Sequence, residues 1–534
     1  MDKRTDPIRI FAEYERGVQY KTALGARGLY EQSRVNERFM IGDQWHGARC
    51  GNSRPLVRHN IIKRIGDYKM AAVGAAPVAV TYAADGVPDT LAVKDRVAAL
   101  RADFLRGDAP AIDATDEVPL VMSALTDYFR TTAERLRFES LRFEVLRAAY
   151  VTGTGVLYTY WDDTVQTGLY ADDAKAVPIT GDIACEVIDI DNVTFGDPTE
   201  TDIEAQPYIL LVQRLAVEDI HRRMKANGRP AADIEAVKPD PTLGEEDRAL
   251  LITKLYRDED GIHAVQVCRG VTVRNGWALG VRRYPLTVFC WEPRSHSAYG
   301  ESEITYLIPN QIAINRMLTA SVWAVMMMGM PTLLVNGDTV RQPLTNEPGQ
   351  TVRIFGGAAE MQNALRYVDP PQFAPALDGN IRSLIDTTLT QSGANDAALG
   401  DLRPDNTSAI VAVREAAMMP LQTIRNRFYA FIEDTARVWA EFWVSRYGAR
   451  RLKIEESGGT WYLPFDGRRY RDLVVSARVD VGASTLHDES ESIRTLDHLL
   501  ERGVIDAVQY LRRLPKGTVP EVSTLIRELE GVGV

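Results

Sequence analysis

The sequence has little cysteine, and that shortage excludes two kinds of structural support. Its 534 residues include four cysteines, and no two of them form a CxxC pair. A disulfide framework or a zinc site needs suitably spaced cysteines, so neither is expected, and the thiols are predicted to be reduced, as in a cytosolic protein. The first residues, MDKRTDPIRIFAEYERG, also lack the apolar core of a signal peptide. The cysteines are Cys50, Cys185, Cys268 and Cys290.

Catalytic motifs are missing as well. The chain contains no GxxxxGK[ST] phosphate loop, no HExxH and no GxSxG, and its seven histidines are dispersed. The GTG at Gly153 follows a predicted helix rather than a strand, which is the wrong order for a dinucleotide-binding fold. The sequence therefore predicts a protein that is not an enzyme and that needs no cofactor and no metal.

One acidic cluster leaves an enzyme open as an alternative. Asp189, Asp191 and Asp197 lie close together in VIDIDNVTFGDP. Converging carboxylates would suit a metal-dependent nuclease, but Asp and Asn before Gly and Pro are more typical of turns. We favour the turn interpretation and keep a metal-dependent DNA-processing enzyme as the alternative.

Positive charge is also scarce relative to negative charge. The net charge is −11, which argues against tight, non-specific binding of nucleic acid. Arg222–Arg223 and Arg450–Arg451 are short basic clusters, which we interpret as solvated helix faces or helix ends. Trp439 and Trp443 lie four residues apart in a helical pattern, and packing is a more common role for such a stripe than base stacking.

Only one long stretch is free of charge. Leu318–Val335 runs for about eighteen residues without a charged side chain, the lower limit for a membrane span. Gly329 and Pro331 would break a helix within it. We predict a buried helix end followed by a buried strand, and no membrane span.

The remaining pattern predicts an α+β fold. Residues 30–295 alternate short helices with β-rich segments and form one α+β body. Within it, Pro119–Val151 has helical spacing of apolar residues and is predicted to be one helix that ends at the glycines of TGTG. The segment Asp85–Pro119 is expected to be an inserted surface excursion.

Beyond Tyr299 the pattern changes to long helices around a small β-rich excursion. One helix is predicted over Glu301–Gly329 and a returning helix over Leu377–Ser392. The loop GANDAALGDLRPDNTS follows, and then a long helix that ends at Tyr447. Pro420 lies inside that last helix, so a kink is expected there.

Several stretches, in order along the chain, resemble the portal proteins of tailed bacteriophages. FMIGDQW is similar to the Y-x-G-D-Q-W stretch of many portals, and AAYVTGTGVLYTYW resembles their step from helix through G-x-G to strand. VIDIDNVTFGDP with YILLVQRLAVEDI, GESEITYLIPNQIAINRMLTAS, TSAIVAVREAA and RTLDHLLERGVID resemble later family segments in the same order. The insertion over 85–119 departs from the family pattern.

The resemblance implies a ring, usually of twelve subunits, at one capsid vertex of the virion, assembled in the host cytoplasm. Double-stranded DNA would pass through its channel during packaging and ejection. The expected partners are further copies of the chain, the terminase large subunit, head-tail adaptor or neck proteins, and the major capsid protein or scaffold, with no membrane. A low-order structural adaptor is a further alternative.

The resemblance also divides the chain. It implies a tunnel loop over 395–407 that faces the DNA, and Pro420 as the helix kink. The tunnel-loop residues are Ala398, Leu399, Gly400, Asp401, Leu402, Arg403, Pro404, Asp405 and Asn406. The implied parts are an N-terminal arm (1–29), a wing (30–298), a first stem helix (299–329), a clip (330–372), a second stem helix (373–394), the tunnel loop (395–407), a long kinked wing helix (408–447), wing return strands (448–483) and a crown (484–534).

Overall fold

The computed structural model divides the chain into two compact units. The larger unit comprises Met1–Glu37, Gly66–Thr305 and Arg403–Val534, and the smaller unit comprises Arg38–Ile65 and Tyr306–Leu402. The fold is a mixture of helices and antiparallel strands, so the predicted α+β class is confirmed. The structure describes residues 4–47, 56–75, 78–84, 91–106, 112–170, 178–241, 244, 247–329, 333–344, 351–368, 376–394, 419–456, 459–471, 473, 475–481, 486–514 and 525.

The described helices and strands follow one another in this order: α1 (Pro7–Ala23), α2 (Leu29–Ile41), α3 (Ile61–Gly74), β1 (Val78–Ala84), α4 (Leu91–Arg106), α5 (Ala114–Leu136), α6 (Phe138–Thr152), β2 (Thr154–Tyr170), β3 (Pro178–Ile188), β4 (Val193–Phe195), β5 (Tyr208–Ala216), α7 (Val217–Ala226), α8 (Ala231–Ala236), β6 (Arg248–Asp258), β7 (Gly261–Cys268), β8 (Val271–Ala278), β9 (Leu286–Cys290), α9 (Ile304–Gly329), β10 (Leu333–Val335), α10 (Ala358–Asn363), β11 (Leu365–Tyr367), α11 (Ala376–Gln391), α12 (Gln422–Arg446), β12 (Ala449–Glu456), β13 (Gly459–Asp466), β14 (Val475–Val481), α13 (Leu486–Glu501) and α14 (Ala507–Arg513).

A five-stranded antiparallel sheet, in the order β4-β5-β6-β7-β8, organises one part of the larger unit. Successive side chains of a strand point to opposite faces, and β6 buries both of them. Leu250 and Ile252 pack with α1 on one face. Ala249 and Leu251 pack with α7 and α8 on the other face. The run of buried residues in β6 therefore marks a strand covered on both sides.

A second core in the larger unit forms around α12. This helix packs against β9 and β14, and its aromatic side chains are buried. Phe428 stacks on Phe431, and Trp439 packs against Phe129. Trp439 and Trp443 are both fully buried, which confirms that the tryptophan stripe is packing.

The prediction of one helix over Pro119–Val151 is wrong. Two helices, α5 and α6, meet at Arg137, whose φ of 51° places it in the left-handed region. Its backbone N–H is shared between Ala133 O and Glu134 O, and the left-handed turn at Arg137 ends the first helix there. Residue 119 lies inside α5, because this helix begins at Ala114. The segment 85–119 also contains the ordered helix α4.

The predicted end of the second helix at TGTG is confirmed. Gly153 has φ 92° and its N–H bonds to Ala149 O. A Cβ added at Gly153 would lie 2.6 Å from Gly300 O. Glycine is therefore needed here both for the left-handed turn and for the close approach of the two backbones.

The cysteine prediction agrees with the described part of the chain. Cys185, Cys268 and Cys290 are free thiols, and Cys50 lies outside the described residues. Burial raises the pKa of the Cys185 thiol to about 11 and that of Cys268 to about 12. These thiols are consequently unreactive packing groups.

Candidate functional site: the smaller unit and its exposed helix

The smaller unit contains most of α9, and the carboxyl-terminal half of this helix is exposed. Val322, Val325, Met326 and Met328 have exposed fractions of 38%, 60%, 41% and 44%. Among the described residues α9 is the one helix that is long and apolar enough to cross a membrane, and only 11% of its most apolar window is buried. The prediction of a buried helix end is wrong, because nothing in the described chain covers this apolar face.

The strand that follows is also exposed, which corrects the second half of that prediction. β10 pairs with β11 in a two-stranded antiparallel sheet, with Leu333 opposite Tyr367. Two strands cannot bury a core by themselves, so their apolar side chains stay in solvent. The large exposed apolar residues of this tip are Leu334, Val335, Phe355, Met361, Tyr367 and Val368.

The amino-terminal half of α9 is held by a row of polar bonds to an extended segment, 57–61. Three backbone N–H groups, two residues apart, donate to three side chains of α9, four residues apart. Two residues of extended chain span about 6.6 Å, and four residues of helix span about 6 Å, so the two rows stay in register. The bonds are Val57 N to Thr319 Oγ1 (3.1 Å), His59 N to Asn315 Oδ1 (3.0 Å) and Ile61 N to Gln311 Oε1 (3.0 Å).

This row is buried at its Gln311 end, partly buried elsewhere, and has a second layer of bonds. Gln311 Nε2 donates to His59 O at 2.6 Å, and Asn315 Nδ2 donates to Gln44 Oε1 at 2.5 Å. Gln44, Gln311 and Asn315 are all buried. Buried amides that are fully bonded fix one arrangement of the chain, so this half of α9 is rigidly placed within the smaller unit.

A cavity of about 290 Å³ opens beside these bonds. The indole N–H of Trp45 donates to Val57 O at 3.0 Å, which fixes the tryptophan ring at the cavity wall. His46 and Arg316 are exposed at the same cavity. The cavity is lined by Gln44, Trp45, His46, Gly47, Ile312, Asn315 and Arg316.

The returning helix α11 has a polar outer face, unlike α9. Its apolar residues Ile381 and Leu389 are buried, while Asp378 and Arg382 form an exposed ion pair at 3.0 Å. Asn310 of α9 donates to Thr388 of α11 at 3.2 Å. The two predicted helices on either side of the excursion are therefore both present, and only α9 presents a bare apolar face.

The predicted tunnel-loop residues, 398–406, lie outside the described residues. Pro420 is described, and it lies in a short 3₁₀ turn, Met419–Leu421, directly before α12. The helix predicted before this proline also lies outside the described residues. The kink at Pro420 accordingly stays a prediction.

The acidic cluster forms turns, as favoured from the sequence. The Asp189 carboxylate accepts a bond from the backbone N–H of Asp191 at 3.1 Å. The Asp197 carboxylate accepts from Thr199 N at 2.9 Å and Thr199 Oγ1 at 2.6 Å, and these bonds lower the pKa of Asp197. Within the described residues no group of three His, Cys, Asp or Glu side chains is placed to hold a metal ion.

The sequence did not reveal a buried lysine beside this turn. Lys21 of α1 is fully buried and donates to Ile190 O at 2.8 Å and to Asp191 O at 3.0 Å. Burial lowers the pKa of Lys21 to about 7 and raises that of Asp191 to about 6. A lysine in a polar amino-terminal stretch gives no sequence signal of burial, so only the packing of α1 identifies it.

The two basic clusters differ. Arg222 is exposed and pairs with Asp219 at 3.1 Å, which confirms the solvated interpretation. Arg450 is buried on strand β12, donates to Gly181 O at 3.1 Å and lies 3.9 Å from the Tyr447 ring centroid. The interpretation of Arg450 as a solvated helix end is wrong, because its guanidinium bridges two parts of the core.

No protein-family model matches the chain, and no curated protein matches it at a significant level.

Proposed function

We propose that the chain is the subunit of a portal-type ring at one capsid vertex of a tailed bacteriophage or phage-like particle. In this proposal the ring contains about twelve copies and conducts double-stranded DNA during packaging and ejection. It would dock the terminase large subunit and later the head-tail adaptor or neck proteins, next to the capsid protein or scaffold. The chain would carry out no chemistry itself.

The exposed apolar half of α9 is the observation that carries the proposal. A contiguous apolar helix face in water is costly, and large exposed apolar patches mark surfaces that another molecule covers. A 26-residue helix is about 39 Å long, so the bare half offers a contact about 20 Å long. A second copy of the chain would cover it in a ring.

The arrangement of the elements supports the same proposal. A head-to-tail contact closes into a ring when its rotation allows, and it uses two different patches on each copy. The smaller unit offers two different outer faces, apolar on α9 and polar on α11. In the portal assignment α9 and α11 are the stem helices, and β10, α10 and β11 belong to the clip.

The rest of the assignment follows the resemblance. Helix α12 would be the ordered part of the long wing helix, and residues 398–406 would be the tunnel loop. The helices α13 and α14 would belong to the crown. The non-catalytic role gains support from Asp189 and Asp197, whose carboxylates are engaged in turns rather than directed at a common point.

The membrane is the main competitor for the α9 face. By length and composition this helix also suits a bilayer. A low-order adaptor is the other alternative, and one partner copy would be enough to cover the face in that case. Sedimentation of the purified chain in detergent-free buffer distinguishes a ring, a membrane protein and a low-order adaptor. A soluble assembly of about twelve times 59.5 kDa is expected. A soluble monomer or dimer, or recovery only in detergent, would contradict the proposal.

A further inference from the structure

Basic charge is concentrated in one short segment of this acidic protein. Arg38–Ile65 contains six arginine or lysine residues and one aspartate, a net charge of +5 in 28 residues. The rest of the smaller unit, Tyr306–Leu402, has a net charge of −3. The smaller unit is therefore at +2 and the larger unit at −13, although the whole chain is at −11. The net charge of the whole chain therefore averages over one strongly basic segment.

The fold brings one further arginine to this segment. Val57 and His59 are each bonded to α9, so Arg58 between them is fixed beside that helix. Arg316 lies on α9 between the two residues that accept those bonds, Asn315 and Thr319. Two arginines that are 258 positions apart in the sequence are therefore carried by two segments that are bonded to each other.

These arginines are free to bind a ligand. Arg58, Arg64 and Arg316 are exposed, and in the part of the chain that the structure describes none of them forms an ion pair or a side-chain hydrogen bond. Many other arginines are paired, as Arg101 is with Asp127 at 2.6 Å. Exposed cations that are not neutralised by an ion pair create a local positive potential.

The adjoining cavity adds a planar apolar wall to this positive surface. Trp45 and Arg316 line the cavity together, and His46, which pairs with Asp43 at 3.3 Å, also lines it. A guanidinium presents several donors to phosphate oxygens, and an indole ring offers a face against which a sugar or base can pack. An acidic peptide would use the arginines alone, so the tryptophan favours a nucleic acid.

We propose that Arg316, at the cavity it lines with Trp45, and Arg58 and Arg64 of the adjoining basic segment bind the phosphate backbone of a nucleic acid. The identification of that nucleic acid as duplex DNA rests on the proposed function, whereas the phosphate chemistry does not. The contact is independent of base sequence, because arginines on phosphates position a duplex without reading it. It is also weak and salt-sensitive, which suits DNA that must move past the surface.

The test measures anisotropy of a fluorescein-labelled 30-base-pair duplex with the full-length protein at 50 to 200 mM NaCl. We compare the wild type with the triple variant Arg58→Gln, Arg64→Gln, Arg316→Gln. A matched variant, Arg222→Gln, Arg223→Gln, Arg468→Gln, removes the same charge from exposed positions of the larger unit. The sedimentation of each protein is recorded in parallel, so that assembly and DNA binding are scored separately.

The wild type is expected to bind, and the affinity of the site variant should be at least tenfold weaker at 50 mM NaCl. Its slope of log affinity against log salt should fall by about 0.9 for each phosphate that an arginine no longer neutralises. The matched variant should stay within twofold of wild type. No binding by the wild type, equal weakening in both variants, or an unchanged site variant would overturn the proposal. So would a site variant that binds DNA but no longer assembles, since the surface would then face a neighbouring copy.

Discussion

Glu13 and Lys254 form an ion pair at 2.6 Å with both side chains buried. Glu13 belongs to α1 and Lys254 to the central strand β6, and the Lys254 ammonium also lies 4.4 Å from the centroid of the Tyr208 ring. The pair therefore fixes the amino-terminal helix on the five-stranded sheet. An isolated charge is costly in such a place, so each partner depends on the other.

Removing one partner is expected to cost more than removing both. Lys254→Met should lower the free energy of unfolding by about 3–5 kcal/mol, because it removes the buried partner of the Glu13 carboxylate and leaves it only the exposed Arg9 guanidinium at 3.4 Å. Adding Glu13→Leu should recover part of that stability. Urea unfolding followed by circular dichroism measures both. The exposed pair offers a control, since Arg222→Met should cost less than about 1 kcal/mol. A double variant whose loss equals the sum of the Lys254→Met and Glu13→Leu single losses would show that the two side chains are not coupled.

The buried Lys21 predicts a rise of stability with pH. Its pKa is about 7 in the folded chain, whereas an unfolded lysine has a pKa near 10.4. Between these values the unfolded state binds a proton that the folded state lacks, so the free energy of unfolding increases as pH rises. Urea midpoints at pH 7.5 and 9.5 should show this increase in the wild type and in Lys225→Met, an exposed control. Lys21→Met should reduce it, and an unchanged increase in that variant would refute the assignment.

The junction at Arg137 predicts a stabilising substitution. A non-glycine residue in the left-handed region costs about 1–2 kcal/mol, and glycine avoids most of this cost. Arg137→Gly should therefore raise the thermal midpoint, although the unfolded chain gains freedom. Glu144→Gly, in the interior of α6, should instead lower the midpoint, because it costs about 1 kcal/mol of helix stability. A thermal scan that lowers the midpoint for both variants would contradict the strain at residue 137.

The apolar face of α9 predicts a specific effect on assembly. Val325→Asp places a charge in the surface that a neighbouring copy would cover, so the ring population at a given concentration should fall at least tenfold. Ser383→Asp adds the same charge to the polar helix α11 and should assemble as wild type. Analytical ultracentrifugation measures the populations. Normal assembly of the α9 variant would show that this face does not meet a neighbour.

The loop assignment predicts a separation of assembly from DNA handling. Deletion of Ala398–Asn406 should leave rings intact, because the proposed ring contact lies on the helices of the smaller unit. Packaging or retention of DNA in particles should be impaired. If the deleted chain forms no rings, the loop is structural and the tunnel assignment is wrong.

Local patterns allowed accurate prediction of several elements. The helices predicted over Glu301–Gly329 and Leu377–Ser392 are observed at Ile304–Gly329 and Ala376–Gln391, because helical spacing is clear there. Gly153 ends a helix as expected. Each of these features depends on residues that are neighbours in the sequence, so the local pattern was sufficient.

Features that depend on distant partners were predicted poorly. The apolar run Leu318–Val335 has the composition of a buried segment, but burial needs a partner, and the described part of the chain supplies none for the end of α9. The burial of Lys21 and Arg450 was not predicted for the same reason, because their carbonyl partners lie far away in the sequence. The basic segment around Arg58 was missed because the net charge of the whole chain averages over both units.

Imaging of the purified, detergent-free protein by negative-stain electron microscopy tests the proposed ring most directly. We expect rings of about twelve subunits with a central hole, and class averages that show rotational symmetry. Images that show only monomers or dimers, with the protein at the concentration used for phage assembly, would contradict the proposal.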